Sequence, residues 1–386
     1  MKVLLVNNDK GWSGGQEHLK DLATELVLKG VNVHFLVRAG SKSDSRFRET
    51  ALPVHALPGH GVGDIIAFAS LVRLFRRERF DIVSVNREHD LLLCALAWRV
   101  AFPFRKTGKF IVNYHIGTAR KQPFLSWVDG IVCISEHVRD KLCVNNPVAV
   151  GKTTILYHGI GLSGPPEPEK FRSDRCRRYF SGVGFPLIGM LGEFWKNQTE
   201  LVDAVPYLKE EFPDLKVAFV GDKSDAGLLQ PVLDRIRKHG LEGDFIFVGR
   251  IPREKIPEVF FDFDLSVSTH RNEGYGIVHL ESLAAGTPIV AFNEGGIVDI
   301  LRGEDVGLLV DGGPREFAAA VASLLRDTER RLAMGRRGHE LVLDKYSRAA
   351  MGARYLDYYR SLLADSRSFS NSEKSVRPDG GITRCQ

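Results

Sequence analysis

At 386 residues, with 26% charged and 44% hydrophobic residues, the chain is too long for one ordinary core and too well mixed for a disordered or fibrous protein. A formal net charge of +5 does not by itself imply nucleic acid, and no uninterrupted apolar stretch is long enough to span a bilayer. Cys94, Cys133, Cys143, Cys176 and Cys385 are odd in number and widely spaced, which fits reduced thiols better than a disulfide framework or a zinc site.

The first apolar run, Val3 to Val6, predicts a strand and is too short for a signal-peptide core, so a cytoplasmic protein is expected. GWSGGQEHL follows as a glycine loop opening a helix, and GVNVHFLV as a second strand. SLVRLFRRERF predicts a helix with Arg73, Arg76, Arg77 and Arg79 on one face and Ile65, Phe68, Leu71, Val72 and Phe75 on the other. A solvated face of a sheet-covering helix accounts for these arginines; a surface resting on anionic lipid or lipopolysaccharide phosphate is the alternative. FIVNYHIG is a strand ending at His115, and WVDGIVCIS a strand after which Ser135 is a ready helix N-cap. ILYHGI leads into the proline-rich GPPEPEK, and a new series of strands opens at PLIGML. Strand and helix alternate throughout, which predicts parallel sheets with crossover helices.

NEGYGIVHLESLAAGTP is the most informative segment. Gly274 and Gly276 allow a tight turn and close approach to a ligand, and the apolar run from Ile277 predicts a helix lasting to Gly286 and Pro288. The helix start would face an anion with its N–H groups and dipole. Glu281 lies about 6–8 Å further along, at ~1.5 Å per residue, and Glu273 stands on the other side of the turn. Each can reach a hydroxyl of a sugar attached to that anion.

This arrangement resembles the E-x7-E signature of the retaining nucleotide-sugar glycosyltransferases of family 4, which have the GT-B fold of two Rossmann-like domains. The segments quoted above, with PLIGMLGEFWKNQ, KVAFVGD, DFIFVGRIP, DFDLSVST and GTPIVAFNEGG, follow the family's order over roughly residues 1 to 350. The resemblance implies an acceptor-side domain over 1–162, a junction over 163–185, a donor domain over 186–345, a helix over 346–364 crossing back to the first domain, and a disordered tail over 365–386. It implies a nucleoside-diphosphate-sugar donor, a saccharide or glycolipid acceptor, and no cofactor or nucleic acid. Glu281 would bind the ribose hydroxyls and Glu273 the sugar, with His115 beside the transferred sugar as the second catalytic position. Gly14 and Gly15 would face the donor phosphate or the acceptor, and Lys196 with the turn Gly274, Tyr275, Gly276 and Ile277 would hold the donor phosphates.

Departures from the family pattern matter equally. Glu193 follows Gly192 where relatives usually have an arginine, so Arg250 or Arg271 would have to supply the missing cation. His158 stands where relatives often carry Asn before Gly. Asp262-Phe263-Asp264 imitates a D-x-D metal motif, but it precedes a strand and reads as a helix terminator, so no metal site is expected. A nucleotide-sugar epimerase of the same fold and a non-catalytic sugar-nucleotide binder remain as alternatives. A dinucleotide oxidoreductase is not expected, because neither half carries G-x-G-x-x-G followed by a ribose-binding acid at the proper place. Cell-surface polysaccharide or lipopolysaccharide assembly, from the inner face of the membrane, is the expected setting.

Overall fold

A computed structural model describes all residues except 13, 59–64, 87, 104–107, 123, 162–175 and 373–386; of residues 88, 89 and 365–372 it describes the backbone alone. GPPEPEK, the start of the expected junction and the end of the tail therefore lie outside the described residues.

The first sheet contains β1 (Lys2–Asn7), β2 (Asn32–Arg38), β3 (Val54–Leu57), β4 (Ile82–Val85), β5 (Lys109–Tyr114), β6 (Gly130–Cys133) and β7 (Thr153–Ile155). Its order is β3-β2-β1-β4-β5-β6-β7, and every pairing is parallel. The second holds β8 (Leu187–Leu191), β9 (Lys216–Val220), β10 (Phe245–Phe247), β11 (Leu265–Ser268), β12 (Ile289–Phe292) and β13 (Gly307–Val310), in the order β10-β9-β8-β11-β12-β13. These too are parallel. Central strands such as β8 are buried on both faces, as a continuous apolar run requires when helices cover both sides.

The crossovers of the first domain are α1 (Gly14–Leu28), α2 (Lys42–Arg48), α3 (Ile65–Glu78), α4 (Glu88–Ala101) and α5 (Glu136–Val144). The second domain has α6 (Gln198–Lys209), α7 (Ala226–His239), α8 (Ile256–Asp262), α9 (Ile277–Ala284), α10 (Val298–Leu301), α11 (Pro314–Arg326) and α12 (Thr328–Lys345), followed by α13 (Arg348–Ser372). Helix α13 returns to the first domain: Met351, Tyr355 and Tyr359 pack with Leu19, Leu22 and Val33. It runs to Ser372, beyond the expected boundary at 364. Ile160 and Ser347 pair as an isolated parallel bridge where the chain crosses between domains.

Leu280 and Leu283 of α9 share one apolar cluster with Val112, Val138 and Leu142, so the cores of the two domains are continuous near α9. Ile65 differs from its expected place on the inner face of α3: it is 81% exposed, while Leu71 and Phe75 are buried. Among the described residues no helix is long and apolar enough to cross a membrane.

Candidate functional site

Strand β11 delivers the chain to the turn that opens α9, at the sheet end where α/β proteins place their ligands. Gly276 caps the helix with φ of +84°, and a Cβ there would lie 2.3 Å from Cδ2 of His279. A side chain at Gly274 would meet the backbone oxygen of His115 at 3.0 Å. The turn therefore sits directly against the end of β5, and the two domains touch at the site.

Glu273 receives a hydrogen bond from Lys196 at 2.6 Å, with both side chains largely buried. Burial pushes the Glu273 carboxyl up, but the Lys196 ammonium outweighs it and holds the group below its usual range. Burial, against the pull of Glu273, takes His279 down to about 4, so this imidazole is neutral at pH 7.

Glu281 faces the other side of α9, into a cavity of about 300 Å³ between the domains, walled also by Gly14, Glu17, His18, Asp21 and Arg253. Burial raises its carboxyl, and Arg253, with Nη2 at 3.7 Å, opposes that shift. Three carboxylates against one guanidinium make this a poor seat for a diphosphate and a suitable one for hydroxyl and N–H donors. Sequence reasoning missed Arg253, which follows Ile251-Pro252 without a motif of its own.

Of the expected phosphate-side residues, Gly14 lines the cavity, Gly15 lies next to it at the start of α1, and Lys196 is at Glu273. The ring of Tyr275 is buried and stacks on Tyr157 at 5.7 Å, with its hydroxyl 3.5 Å from the carbonyl of His158. Its side chain thus belongs to the domain contact, leaving only its backbone for a donor. Ile277 starts α9 and lines the cavity.

His115 has both ring nitrogens engaged within the protein: Nδ1 lies 3.0 Å from Nε2 of His158 and Nε2 lies 3.3 Å from Oδ1 of Asn86. One of these contacts has to give way for the imidazole to hydrogen-bond a sugar. His158 stacks on His18 at 3.5 Å, and burial, reinforced by the neighbouring imidazoles, pushes both rings well below the ordinary histidine range.

Ser135 does cap α5, accepting from the Val138 N–H at 3.1 Å, but its hydroxyl also donates to the Gly274 carbonyl at 2.6 Å. The backbone N–H of Glu136 donates to Asp299 at 2.7 Å, and Lys141 and His137 reach Asn272. The start of α5 therefore grips the donor turn, a role that no local signal announces.

The basic groups near Glu193 are now separable. Arg271 is committed to Glu200, Glu294 and the Gly312 carbonyl. Arg250 lies at the mouth, 3.7 Å from Glu193 and 3.0 Å from Asp222. Asp262 terminates no helix through its side chain; it accepts from the N–H groups of Arg178, Tyr179 and Phe180, while Asp264 accepts from Arg177 and Leu187. Both carboxylates anchor the entry to β8.

Two facing Rossmann-like domains, closed on a helix-opening turn with acids eight positions apart, define a GT-B glycosyltransferase. Residues 185–341 match the family described as glycosyl transferases group 1, and residues 12–163 match glycosyltransferase family 4. A D-inositol 3-phosphate glycosyltransferase of Corynebacterium kroppenstedtii is 31% identical over 92% of this chain and 86% of the relative. The chain belongs to this family of glycosyltransferases. A GDP-mannose-dependent alpha-(1-6)-phosphatidylinositol monomannoside mannosyltransferase of Mycolicibacterium smegmatis is 32% identical over 58% of this chain and 60% of its own length. Among solved structures, Anabaena Alr3699/HepE in complex with UDP superposes with a TM-score of 0.76 at 19% identity, covering 94% of this chain and all of that one (100%).

Proposed function

We propose that this glycosyltransferase is retaining and moves a sugar from a nucleoside diphosphate to a hydroxyl of a saccharide or glycolipid acceptor. The observation that carries the reading is the split of the two glutamates across α9: Glu281 walls the cavity while Glu273 pairs with Lys196 at the turn. Glu281 binds ribose hydroxyls. Lys196 turns from Glu273 to the arriving diphosphate, assisted by the α9 N-terminus, and Glu273 is released to the transferred sugar. Gly14, Gly15 and the backbone of Gly274, Tyr275, Gly276 and Ile277 complete the donor seat. His115 fixes the end of β5 against that seat, and Arg250 supplies the cation beside Glu193.

Transfer needs no divalent metal, because charge on the leaving diphosphate is met by Lys196 and the helix dipole. Relatives named for inositol phosphate and phosphatidylinositol mannoside favour a polyol or glycolipid acceptor. The expected setting is cell-envelope glycoconjugate assembly, including polysaccharide or lipopolysaccharide, on the cytoplasmic face of the membrane. Incubation with UDP-, GDP- and ADP-sugars and polyol or glycolipid acceptors, in excess EDTA, is expected to give a product that keeps the donor's anomeric configuration by NMR. An inverted product would remove the retaining assignment. Nucleotide-sugar binding without turnover on any acceptor would favour the non-catalytic binder, and an altered sugar nucleotide released without acceptor would favour the epimerase.

A further inference from the structure

His18 in α1, His115 after β5 and His158 after β7 come from three separate segments, yet each offers a ring nitrogen within 4.8 Å of the other two. His18 and His158 are each 3% exposed, and both nitrogens of His18 and Nδ1 of His158 meet no hydrogen-bond partner. Buried polar atoms in folded proteins nearly always have a partner, so three in one cluster call for a ligand from outside the chain.

The hydrogen-bond pattern assigns the protons. Nδ2 of Asn86 donates to the carbonyls of Val6 at 3.2 Å and Ser84 at 3.3 Å, which turns Oδ1 toward Nε2 of His115. Nε2 of His115 therefore carries the hydrogen, and its Nδ1 presents a lone pair to Nε2 of His158 at 3.0 Å. That separation is close to the ~3.3 Å expected between two nitrogens bound at about 2.0–2.1 Å to one tetrahedral ion. His18 lies against the same pair, stacked on His158 with centroids at 3.5 Å and edge-on to His115 at 5.5 Å, and on binding its ring turns out of the stack, since a nitrogen lone pair meets an ion only in the plane of its own ring.

We infer that His18, His115 and His158 bind one divalent transition-metal ion of the zinc class, with a fourth ligand supplied from the cleft cavity that His18 also lines. Imidazole nitrogens without a carboxylate select zinc, cobalt, nickel or copper over magnesium or manganese. On binding, the hydrogen on Nε2 of His158 moves to Nδ1 of the same ring and the freed lone pair takes the metal. All three ligands are neutral imidazoles, so no net proton is released. The ion ties together α1, β5 and the segment after β7, and it acts in structure rather than in sugar transfer. His158 makes the third ligand where relatives often carry Asn, so the site is a property of this chain's departure from the family pattern.

The test is a titration of the full, chelator-stripped chain with Co²⁺, without nucleotide, followed by visible absorption and by thermal melting. The wild type is expected to take one equivalent with the intense d–d bands of four-coordinate cobalt, lose them to Zn²⁺, and melt at a higher temperature when loaded. His158→Asn and His18→Gln should each abolish the bands while melting cooperatively without metal. Changing the separate pair His34 and His55, on β2 and β3, to Gln should leave them intact. A wild type that gives no four-coordinate spectrum, or folded His158→Asn and His18→Gln variants that keep it, would overturn the assignment. If only one variant folds, that one decides.

Discussion

At the scale of single residues, the two glutamates of the turn are predicted to separate by sign. Burial raises the Glu281 carboxyl, so the folded chain holds that proton more tightly than the unfolded chain. The resulting stability is complete below the unfolded carboxyl range and is lost as pH rises through the folded value, which leaves an ionised, buried cost at pH 7. Glu281→Gln is therefore expected to raise the melting temperature of the free enzyme at neutral pH. The same change should weaken nucleoside diphosphate binding by roughly 1.5–3 kcal/mol, since charged hydrogen bonds to ribose are lost. Calorimetry showing wild-type affinity would remove Glu281 from the donor seat. Glu273 behaves oppositely: its carboxyl is held low, so its contribution is present above the unfolded carboxyl range and lost as pH falls through the folded value. Lys196→Met should strip that partner and cost roughly 3 kcal/mol, the low end of the range for breaking a buried pair. Adding Glu273→Gln to it should recover much of the loss in denaturant melts. If the double variant is no more stable than the single one, the ion pair is not what holds these residues.

At the scale of elements, Asp262 is the sharpest case of a side chain whose role depends on distant backbone. Three N–H groups converge on it at 2.8, 2.6 and 2.7 Å from the segment entering β8. Asp262→Asn would turn an amide toward groups that also donate, and should cost roughly 3 kcal/mol of stability at ~1.5–3 kcal/mol per charged hydrogen bond. Nucleotide affinity, measured by calorimetry, should be unchanged; a selective loss of manganese-dependent binding would revive the D-x-D reading. The sequence reading missed this tether because a carboxylate 82 to 84 residues away from its partners leaves no periodic trace. By contrast, α9 was legible from its glycines and apolar run, because a helix start is a local matter of φ and hydrogen-bond bookkeeping. Strands such as β1, β8, β9 and β12 were legible for the same reason, each carrying an apolar run, whereas β7, Thr-Thr-Ile, carries none. Arg253 opposite Glu281, Ser135 on the Gly274 carbonyl and the meeting of His18, His115 and His158 are products of the closed fold. His158 alone left a mark in sequence, as a residue out of pattern.

For the whole molecule, the remaining question is what the outer face of the first domain meets. Helix α3 buries Leu71, Val72, Leu74 and Phe75, and its opposite side is exposed. With neighbours three and four residues apart, Ile65 and Ile66, at 81% and 70% exposure, lead into the exposed Arg73, Arg76 and Arg77 along one face. Apolar groups at one end and cations behind them suit the boundary between acyl chains and anionic headgroups. Two adjacent exposed isoleucines beside three cations are what such a boundary would use. Part of the charge is already engaged, since Arg76 donates to the Val100 carbonyl at 3.1 Å and Arg77 to Glu78 at 2.8 Å, so Arg73 should matter most. Replacing Arg73, Arg76 and Arg77 with Ser is expected to lower sedimentation with anionic liposomes, by about 1 kcal/mol for each cation near the surface. Raising salt should have a similar effect on the wild type, because exposed charges are screened within about 8–10 Å. Ile65→Ser with Ile66→Ser should weaken binding in a way that salt does not reproduce. Nucleotide binding should survive all of these changes, since the cavity at Glu281 is built from other residues. Unchanged binding to anionic vesicles after both sets of substitutions would make α3 a solvated helix and leave the acceptor to reach the cleft from solution.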